Sequence, residues 1–156
     1  MSYTQIIRKQ LVKTNIDDLW DFMSSPKNLK KITPNYMQFN ITSYNQDQTM
    51  YAGMIISYEV KPLLNFPLKW VTEITHLKEK KFFVDEQRIG PYKMWHHEHI
   101  FNIKENGILM TDIITYVPPF KLLGKIANYL FIKKRVNHIF DYRNKMIDKI
   151  FNTSIK

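Results

Sequence analysis

The chain has 156 residues, of which 44% are hydrophobic and 14% aromatic, so it can fold as one domain over residues 1–156 and is not disordered. It contains no cysteine, which excludes disulfides, thiolate metal sites and a cysteine nucleophile, and no apolar run approaches the roughly 18 residues of a membrane-spanning helix. The formal net charge is +9, and the polar N-terminus does not resemble a secretory signal, so we expect a cytoplasmic protein.

A strand and two short helices are predicted for the first part of the chain. Residues 4–13 alternate imperfectly between apolar and polar side chains, which favours a strand. Thr14-Asn15 is typical of a helix start, and apolar residues at helical spacing extend this helix to about Ser24. Pro26 begins a second short helix, which Thr33-Pro34 ends.

Six further strands follow, joined by short connections. Alternation predicts them at the following positions: 37–44, 49–60, 69–78, 81–88, 95–104 and 108–117. Asn106-Gly107 is the strongest hairpin signal between them. Short connections favour an antiparallel meander.

The loop at 62–67 differs from the other connections because it is apolar. It places Leu63, Leu64 and Phe66 between two prolines. Such a loop either packs over something or forms an apolar lid.

The last quarter of the chain is predicted to be helical. Its apolar stripe changes phase, which indicates a short helix near 120–131, a break near 131–133 and a main helix to about residue 152.

The same part of the chain is strongly basic, with nine basic and only two acidic residues from Pro119 onward. The solvated face of a terminal helix explains this excess, and contact with an anionic lipid surface is the alternative. The residues of that alternative contact are Lys121, Lys125, Lys133, Lys134 and Arg135. They lack the interleaved aromatics of a nucleic-acid site, so we expect no nucleic acid.

The strand after Gly90-Pro91 carries polar and aromatic side chains where a core strand would carry Val and Ile. Because side chains alternate across a strand, Trp95, His97, His99 and Phe101 share one face. Rings, donors and acceptors together on an inward face are more typical of a cavity wall than of a sealed core.

The two preceding strands show the same mixture. Trp70, Thr72, Ile74 and His76 share a face of the strand 69–78, and Phe83, Asp85 and Gln87 share a face of the strand 81–88. A dry core does not accept so many polar groups without partners. We therefore predict a curved sheet that encloses a cavity with the long C-terminal helix.

This order of elements resembles the START/Bet v 1-like superfamily (SRPBCC; polyketide cyclase/dehydrase-like). Within it, the chain is similar to a small bacterial branch related to the N-terminal domain of epimerase fusions called "cell division inhibitor" proteins. The residues that carry the resemblance are Trp70-x-Thr72-x-Ile74, Phe83-x-Asp85-x-Gln87, Gly90-Pro91-Tyr92, Trp95-x-His97-x-His99-x-Phe101, Asp112-x-Ile114-x-Tyr116-x-Pro118 and Ile139-Phe140-x-Tyr142-Arg143.

The resemblance implies an α+β helix-grip fold: a seven-stranded curved antiparallel sheet, two short helices after the first strand, and a long C-terminal helix. It further implies that the cavity under this helix binds a lipid, quinone or polyketide-like molecule, with the loops 61–67 and 88–92 as gates. The gate residues are Leu63, Leu64, Phe66, Gly90, Pro91 and Tyr92.

Binding or transport of a small hydrophobic or amphipathic ligand, without a cofactor, is therefore the expected function. The predicted ligand-binding residues are Trp70, Thr72, Ile74, Phe83, Asp85, Gln87, Trp95, His97, His99, Phe101, Asp112, Tyr116, Phe140 and Arg143. A lipid carrier docked on a membrane is one alternative.

A cofactor-free cyclase or dehydratase is the other alternative. A histidine paired with a carboxylate in an apolar cavity titrates near neutrality and can enolise or dehydrate a carbonyl compound. His97 or His99 would be the base and Asp85 its orienting partner. The same three side chains, with Glu73, are the available metal ligands, but the sequence fixes no ligand geometry. A hydrogen-bonded network across the sheet, with Asp85, Gln87, Thr72 or Asp112 as partners, is favoured, so no metal is predicted.

Overall fold

The computed structural model describes residues 3–43, 49–61, 67–119 and 131–153. Its largest element is a curved antiparallel sheet of seven strands in the order β1-β7-β6-β5-β4-β3-β2. The strands are β1 Thr4–Val12, β2 Asn40–Ser43, β3 Ile55–Val60, β4 Leu68–Lys78, β5 Phe82–Ile89, β6 Met94–Lys104 and β7 Gly107–Val117. The predicted meander is confirmed for β2 to β7, and β1 closes the sheet by pairing with β7.

Short helices connect β1 to β2. They are α1 Ile16–Met23, α2 Pro26–Leu29, and two 3-10 turns, Lys30–Ile32 and Asn35–Met37. The predicted start of α1 is confirmed, since the Asn15 side chain accepts a hydrogen bond of 2.8 Å from the backbone N–H of Asp18. Two acidic residues in its first turn complement the positive end of the helix dipole.

The long C-terminal helix, α3, covers Lys133–Ile147 and continues as a π-helical turn, Asp148–Asn152. Its far end is fastened to β1, where Asn152 Oδ1 accepts a hydrogen bond of 2.7 Å from the backbone N–H of Lys13. The predicted short helix at 120–131 lies outside the described residues, apart from Phe131. None of the helices described has the length and apolar character needed to cross a membrane.

The buried apolar residues form two groups. In the larger group, Trp20 of α1 meets the rings of Phe83 and Phe101 edge-on, at centroid distances of 6.0 and 5.8 Å. In the smaller group, Trp95 and other sheet residues pack against Val136 and Phe140 of α3. The sheet, α1 and α3 are therefore held together by aromatic contacts, and members of both groups line one cavity.

Two predicted strands begin later than expected. β2 begins at Asn40 because residues 35–37 form a 3-10 turn, which Gln38 ends in the left-handed conformation (φ 45°). β3 begins at Ile55 because a turn at Gly53, with φ +95°, precedes it. Met37 is nevertheless buried, from the 3-10 turn instead of from a strand.

Alternation alone predicted that His76 shares the inward face of β4, and this prediction is wrong. The pairing of β4 with β5 shifts by one residue between Ile74 and His76. Such a bulge exchanges the two faces of a strand. His76 is therefore exposed, and Leu77 packs on the core in its place.

Candidate functional site

A cavity of about 290 Å³ lies between the sheet, the α1–α2 segment and α3. Its lining is mostly apolar, and the polar groups come chiefly from the central strands and from α3. This volume is at the lower end of the range for small-molecule sites, which is about 300 to 1,000 Å³. The predicted cavity between the sheet and the helix is thus present.

Most of the predicted ligand-binding residues line this cavity. They are Trp70, Thr72, Ile74, Phe83, Asp85, Trp95, His97, His99, Phe140 and Arg143, together with Pro91 and Tyr92 of the predicted gate. Leu63, Leu64 and Phe66, the other predicted gate, lie outside the described residues.

Four predicted residues, Gln87, Phe101, Asp112 and Tyr116, support the wall from behind instead of lining it, and Gly90 of the predicted gate does not line it either. The Gln87 amide holds the turn before β6, since it donates to the Tyr92 carbonyl at 2.7 Å and accepts from the Tyr92 N–H at 3.2 Å. Phe101 packs under Trp20, and Tyr116 lies against the ring of Trp95. Asp112 is fully buried behind the two histidines.

The short helices and the segments that follow them supply lining residues that sequence reasoning missed. Among these are Met23, Ile32 and Met37 in the helices and turns, and Thr33 and Phe39 in the connecting segments. Helical spacing marks the apolar positions of such a segment, but it does not tell whether they close a core or face a cavity.

The centre of the polar part is a cluster of five residues, Asp85, His97, His99, Asp112 and Arg143, which we call the Asp–His–Arg cluster. Strand register creates it, because Asp85 of β5 pairs with His97 of β6, and His99 of β6 pairs with Asp112 of β7. Alternation turns both imidazoles inward, where each retains only 4% of its accessible surface.

Each imidazole lies between the two carboxylates. His97 Nε2 is 3.0 Å from Asp112 Oδ1, and His97 Nδ1 is 3.3 Å from Asp85 Oδ2. His99 Nε2 is 2.7 Å from Asp85 Oδ2, and His99 Nδ1 is 3.1 Å from Asp112 Oδ1. All four ring nitrogens therefore have a carboxylate neighbour.

Arg143 brings the helix into the cluster. Its Nη2 lies 3.0 Å from His99 Nδ1 and 3.3 Å from Asp112 Oδ1. The guanidinium is buried against the ring of Phe140, at 5.9 Å from the centroid. α3 thus contributes the fixed positive charge that two buried carboxylates need.

The pKa values in the cluster follow from burial and charge together. Burial acts to raise the pKa of Asp112, but the Arg143 charge and the bonds from the histidines hold that pKa well below its ordinary value. Burial likewise opposes ionisation of Asp85, and the charge and hydrogen bonds of His97 and His99 lower its pKa. Burial alone would lower the pKa of His97, yet the charge of Asp85 and the bond to Asp112 raise it. Burial and the charge of His97 lower the pKa of His99.

The charges in the cluster are thus mutually dependent. The two carboxylates are held ionised by Arg143 and by the histidines, the pKa of His97 is raised, and the lowered pKa of His99 favours its uncharged form. A neutral histidine that lines a cavity can accept a proton from a bound molecule once one ring nitrogen is released from its present partner.

Three further polar side chains border the cavity. Tyr58 and Thr72 share a short hydrogen bond, and burial together with the Asp85 charge raises the pKa of Tyr58, so its hydroxyl keeps the proton. Trp70 lines the cavity, and its indole N–H is buried without a hydrogen-bond partner in the described part of the chain. The Trp70 N–H and one hydroxyl of the Tyr58–Thr72 pair can donate to an oxygen of a bound molecule.

The basic residues of the C-terminal segment do not all face solvent. Lys133 and Lys134 are exposed, whereas the Arg135 guanidinium lies 4.0 Å above the Tyr36 ring and borders the cavity. Lys121 and Lys125 fall outside the described residues.

Comparison with known proteins identifies the fold. No family model and no curated protein matches the sequence. Among solved structures, the Zhui aromatase/cyclase from Streptomyces sp. R1128 matches with a TM-score of 0.76 at 11% identity, over 99% of this chain and 97% of that one. Protein CV1439 from Chromobacterium violaceum matches with a TM-score of 0.71 at 9% identity, over 95% and 97% of the two chains. The major latex-like protein 151 of Panax ginseng matches with a TM-score of 0.59 at 15% identity, over 91% and 97%.

The chain therefore has the helix-grip fold of the START/Bet v 1-like (SRPBCC) proteins, as its resemblance implied. At these identities the likeness establishes the fold, and the function has to be argued from the cavity.

Proposed function

We propose that this protein is a START-like ligand-binding domain that binds or transports a small hydrophobic or amphipathic molecule, of lipid, quinone or polyketide type. The observation that carries the proposal is a cavity of about 290 Å³ that is walled by aromatic and aliphatic side chains around a buried polar cluster. A cavity of this kind lowers the stability of the folded protein, because its lining lacks packing contacts. A bound apolar molecule would restore those contacts.

The ligand in this proposal is apolar along most of its surface and carries an oxygen at one end. The apolar part fits against Ile56, Val60 and Leu68, which line the cavity on β3 and β4. The oxygen fits beside His97, His99 and Trp70, where the indole N–H of Trp70 is the donor without a partner among the described residues.

Mass spectrometry of material extracted from the natively purified protein tests this proposal. We expect one apolar compound, or a narrow family, to be recovered in an amount close to that of the protein. Protein that is unfolded, washed and refolded before extraction is the control and should release nothing. Recovery of no compound from the native protein, combined with no binding of an apolar fluorescent probe, would contradict the proposal.

A cofactor-free enzyme of cyclase or dehydratase type is the second candidate. The uncharged His99 beside Asp85 supports it, because an imidazole oriented by a carboxylate can act as a general base when a substrate takes the place of Arg143 at Nδ1. Likeness of fold to an aromatase/cyclase adds an analogy. Replacing both His97 and His99 with Gln should abolish turnover of a polyketide-type carbonyl substrate and spare its binding. Unchanged turnover would eliminate this candidate.

Docking on an anionic membrane, within the cytoplasm, remains a proposal for the basic C-terminal segment. Lys133 and Lys134 are exposed next to Phe131, whose accessible fraction is 68%. An exposed ring beside two lysines suits a surface of anionic lipid headgroups. Co-sedimentation with vesicles should rise with anionic lipid content and fall with salt. Co-sedimentation that changes with neither the anionic lipid content nor the salt concentration would argue against docking.

A further inference from the structure

We propose that Asp85, His97 and His99 form a binding site for one divalent transition-metal ion, which opens into the cavity. This inference goes beyond the binding of an apolar ligand and does not depend on it. It uses the two imidazoles and the carboxylate that the sheet brings together at the cavity wall.

The three side chains offer ligand atoms close to one another. One ligand atom from each residue lies within 4.8 Å of the others. Asp85 Oδ2 is 3.3 Å from His97 Nδ1 and 2.7 Å from His99 Nε2. Ligands of one tetrahedral zinc ion, at about 2.0 to 2.2 Å from the metal, lie roughly 3.3 Å apart. The first distance already has this value, and the second requires a movement of about half an ångström, which a small rotation of the Asp85 side chain supplies.

Asp112 supplies the partner that metal-bound histidines usually have. A metal-ligating imidazole commonly donates its other N–H to a carboxylate, which fixes the tautomer and the ring orientation. Here His97 Nε2 and His99 Nδ1, the nitrogens that point away from Asp85, lie 3.0 and 3.1 Å from Asp112 Oδ1. One buried carboxylate can therefore orient both ligands.

Arg143 fits both the metal-free and the metal-bound arrangement. Without metal, its guanidinium donates to His99 Nδ1, so Nε2 carries the ring proton and donates it to Asp85. When an ion takes the place of that proton, the ring proton belongs on Nδ1, facing Asp112. The guanidinium N–H then loses its acceptor on Nδ1 and has to turn to Asp112 Oδ1, which already lies 3.3 Å away.

The charge and the access of the site also suit a cation. An imidazole that ligates a metal is neutral, so in the metal-bound state the two carboxylates exceed the one guanidinium by a single negative charge, which the cation offsets. The Asp85 side chain keeps 18% of its accessible surface, and all three ligands line the cavity. A fourth coordination position would thus face the cavity, where water or an oxygen of a ligand can occupy it. Two imidazoles and one carboxylate with an open position suit zinc or ferrous iron.

Titration of the chelator-treated, full-length protein with Co²⁺, followed by visible absorption and by calorimetry, tests the site. We expect one equivalent to bind and to give the ligand-field bands of a low-coordinate cobalt ion. Asp85→Asn, His97→Gln and His99→Gln should each remove these bands. Asp112 orients the ligands without binding the ion, so Asp112→Asn should weaken cobalt affinity by about 10- to 100-fold.

His96→Gln is the matched control. His96 lies on the same strand but on the opposite face, where its Nδ1 is 2.8 Å from Glu86, so its replacement should leave cobalt binding unchanged.

In the unmodified protein, Zn²⁺ should shift the imidazole ¹⁵N resonances of His97 and His99 and not that of His96. This measurement decides the matter even where a variant fails to fold. Absence of cobalt bands in the unmodified protein, or bands that survive Asp85→Asn, would overturn the proposal. Binding of an apolar probe by the same metal-free protein reports separately on the proposed ligand function.

Discussion

At the residue scale, Asp112 connects the parts of the site. It is fully buried on β7, contacts both imidazoles of β6 and accepts a hydrogen bond from Arg143 of α3. A buried carboxylate is stable only with such partners, and removal of one member of a buried pair typically costs about 3 to 5 kcal/mol. Asp112 is therefore a residue on which both the folded state and the geometry of the histidines depend.

The first prediction concerns the pH dependence of stability in the metal-free protein. The pKa of Asp112 is lower in the folded chain than its ordinary value of 3.8, so its ionised form stabilises the fold above that pH, and this contribution is lost as the pH falls. Asp112→Asn should reduce the free energy of unfolding by about 3 to 5 kcal/mol near neutrality. The difference from the unmodified protein should shrink as the pH falls below 3.8. Urea denaturation at a series of pH values measures it.

Asp141→Asn is the control for that series. Asp141 makes an exposed ion pair with Arg8 at 3.3 Å, and such pairs contribute at most about 1 kcal/mol. A difference between Asp112→Asn and the unmodified protein that stays constant from pH 7 to acid would contradict the role given to Asp112.

The sequence predicted which residues make up the site better than it predicted their contacts. Alternation alone placed His97 and His99 on one inward face, and the structure confirms this. Whether Asp85 or Gln87 meets the imidazoles depends on strand register, which alternation does not define. In the structure Asp85 meets them, while Gln87 is held by the backbone of Tyr92. The contact of Arg143 with Asp112 crosses from helix to sheet, beyond the reach of any local pattern.

At the element scale, the hairpin between β6 and β7 sets the register that pairs His99 with Asp112. The sequence predicted this hairpin from Asn106-Gly107, and the structure places the two loop residues one position earlier, at Glu105 and Asn106. Gly107 is instead the first paired residue of β7, with φ +134°. This glycine has to approach the Val12 carbonyl closely, which is why no other residue suits the position.

The second prediction follows from that close approach. A Cβ at position 107 would lie 2.3 Å from the Val12 carbonyl oxygen, in addition to the strain of a positive φ. Gly107→Ala should therefore lower the free energy of unfolding by about 2 kcal/mol or more. Gly53→Ala is the matched control, since position 53 has a positive φ but no atom within 4 Å of the added Cβ. A Gly107→Ala variant no less stable than Gly53→Ala would show that the carbonyl contact has no effect.

At the scale of the whole molecule, the cavity arises because one long helix cannot cover the inward face of a seven-stranded curved sheet completely. α1 and the 3-10 turns cover part of that face, and the uncovered part is lined by residues such as Ile56, Tyr58 and Ile74. The sequence predicted the sheet, the helix and a space between them. The volume of that space could not be predicted, since it depends on how far the helix lies from the sheet.

The central claim is that this space admits a small apolar molecule, and titration with the fluorescent probe 1-anilinonaphthalene-8-sulfonate tests it most directly. Ile56 lines the cavity and Ile55, its neighbour on β3, is 49% exposed on the other face, so the two isoleucines form a matched pair. The folded protein should bind the probe saturably. Ile56→Trp should fill the cavity and weaken binding about tenfold or more, which is a loss of about 1.4 kcal/mol of binding free energy. Ile55→Trp should leave probe binding unchanged. Probe binding that is absent from the folded protein, or that Ile56→Trp leaves unchanged, would contradict the account.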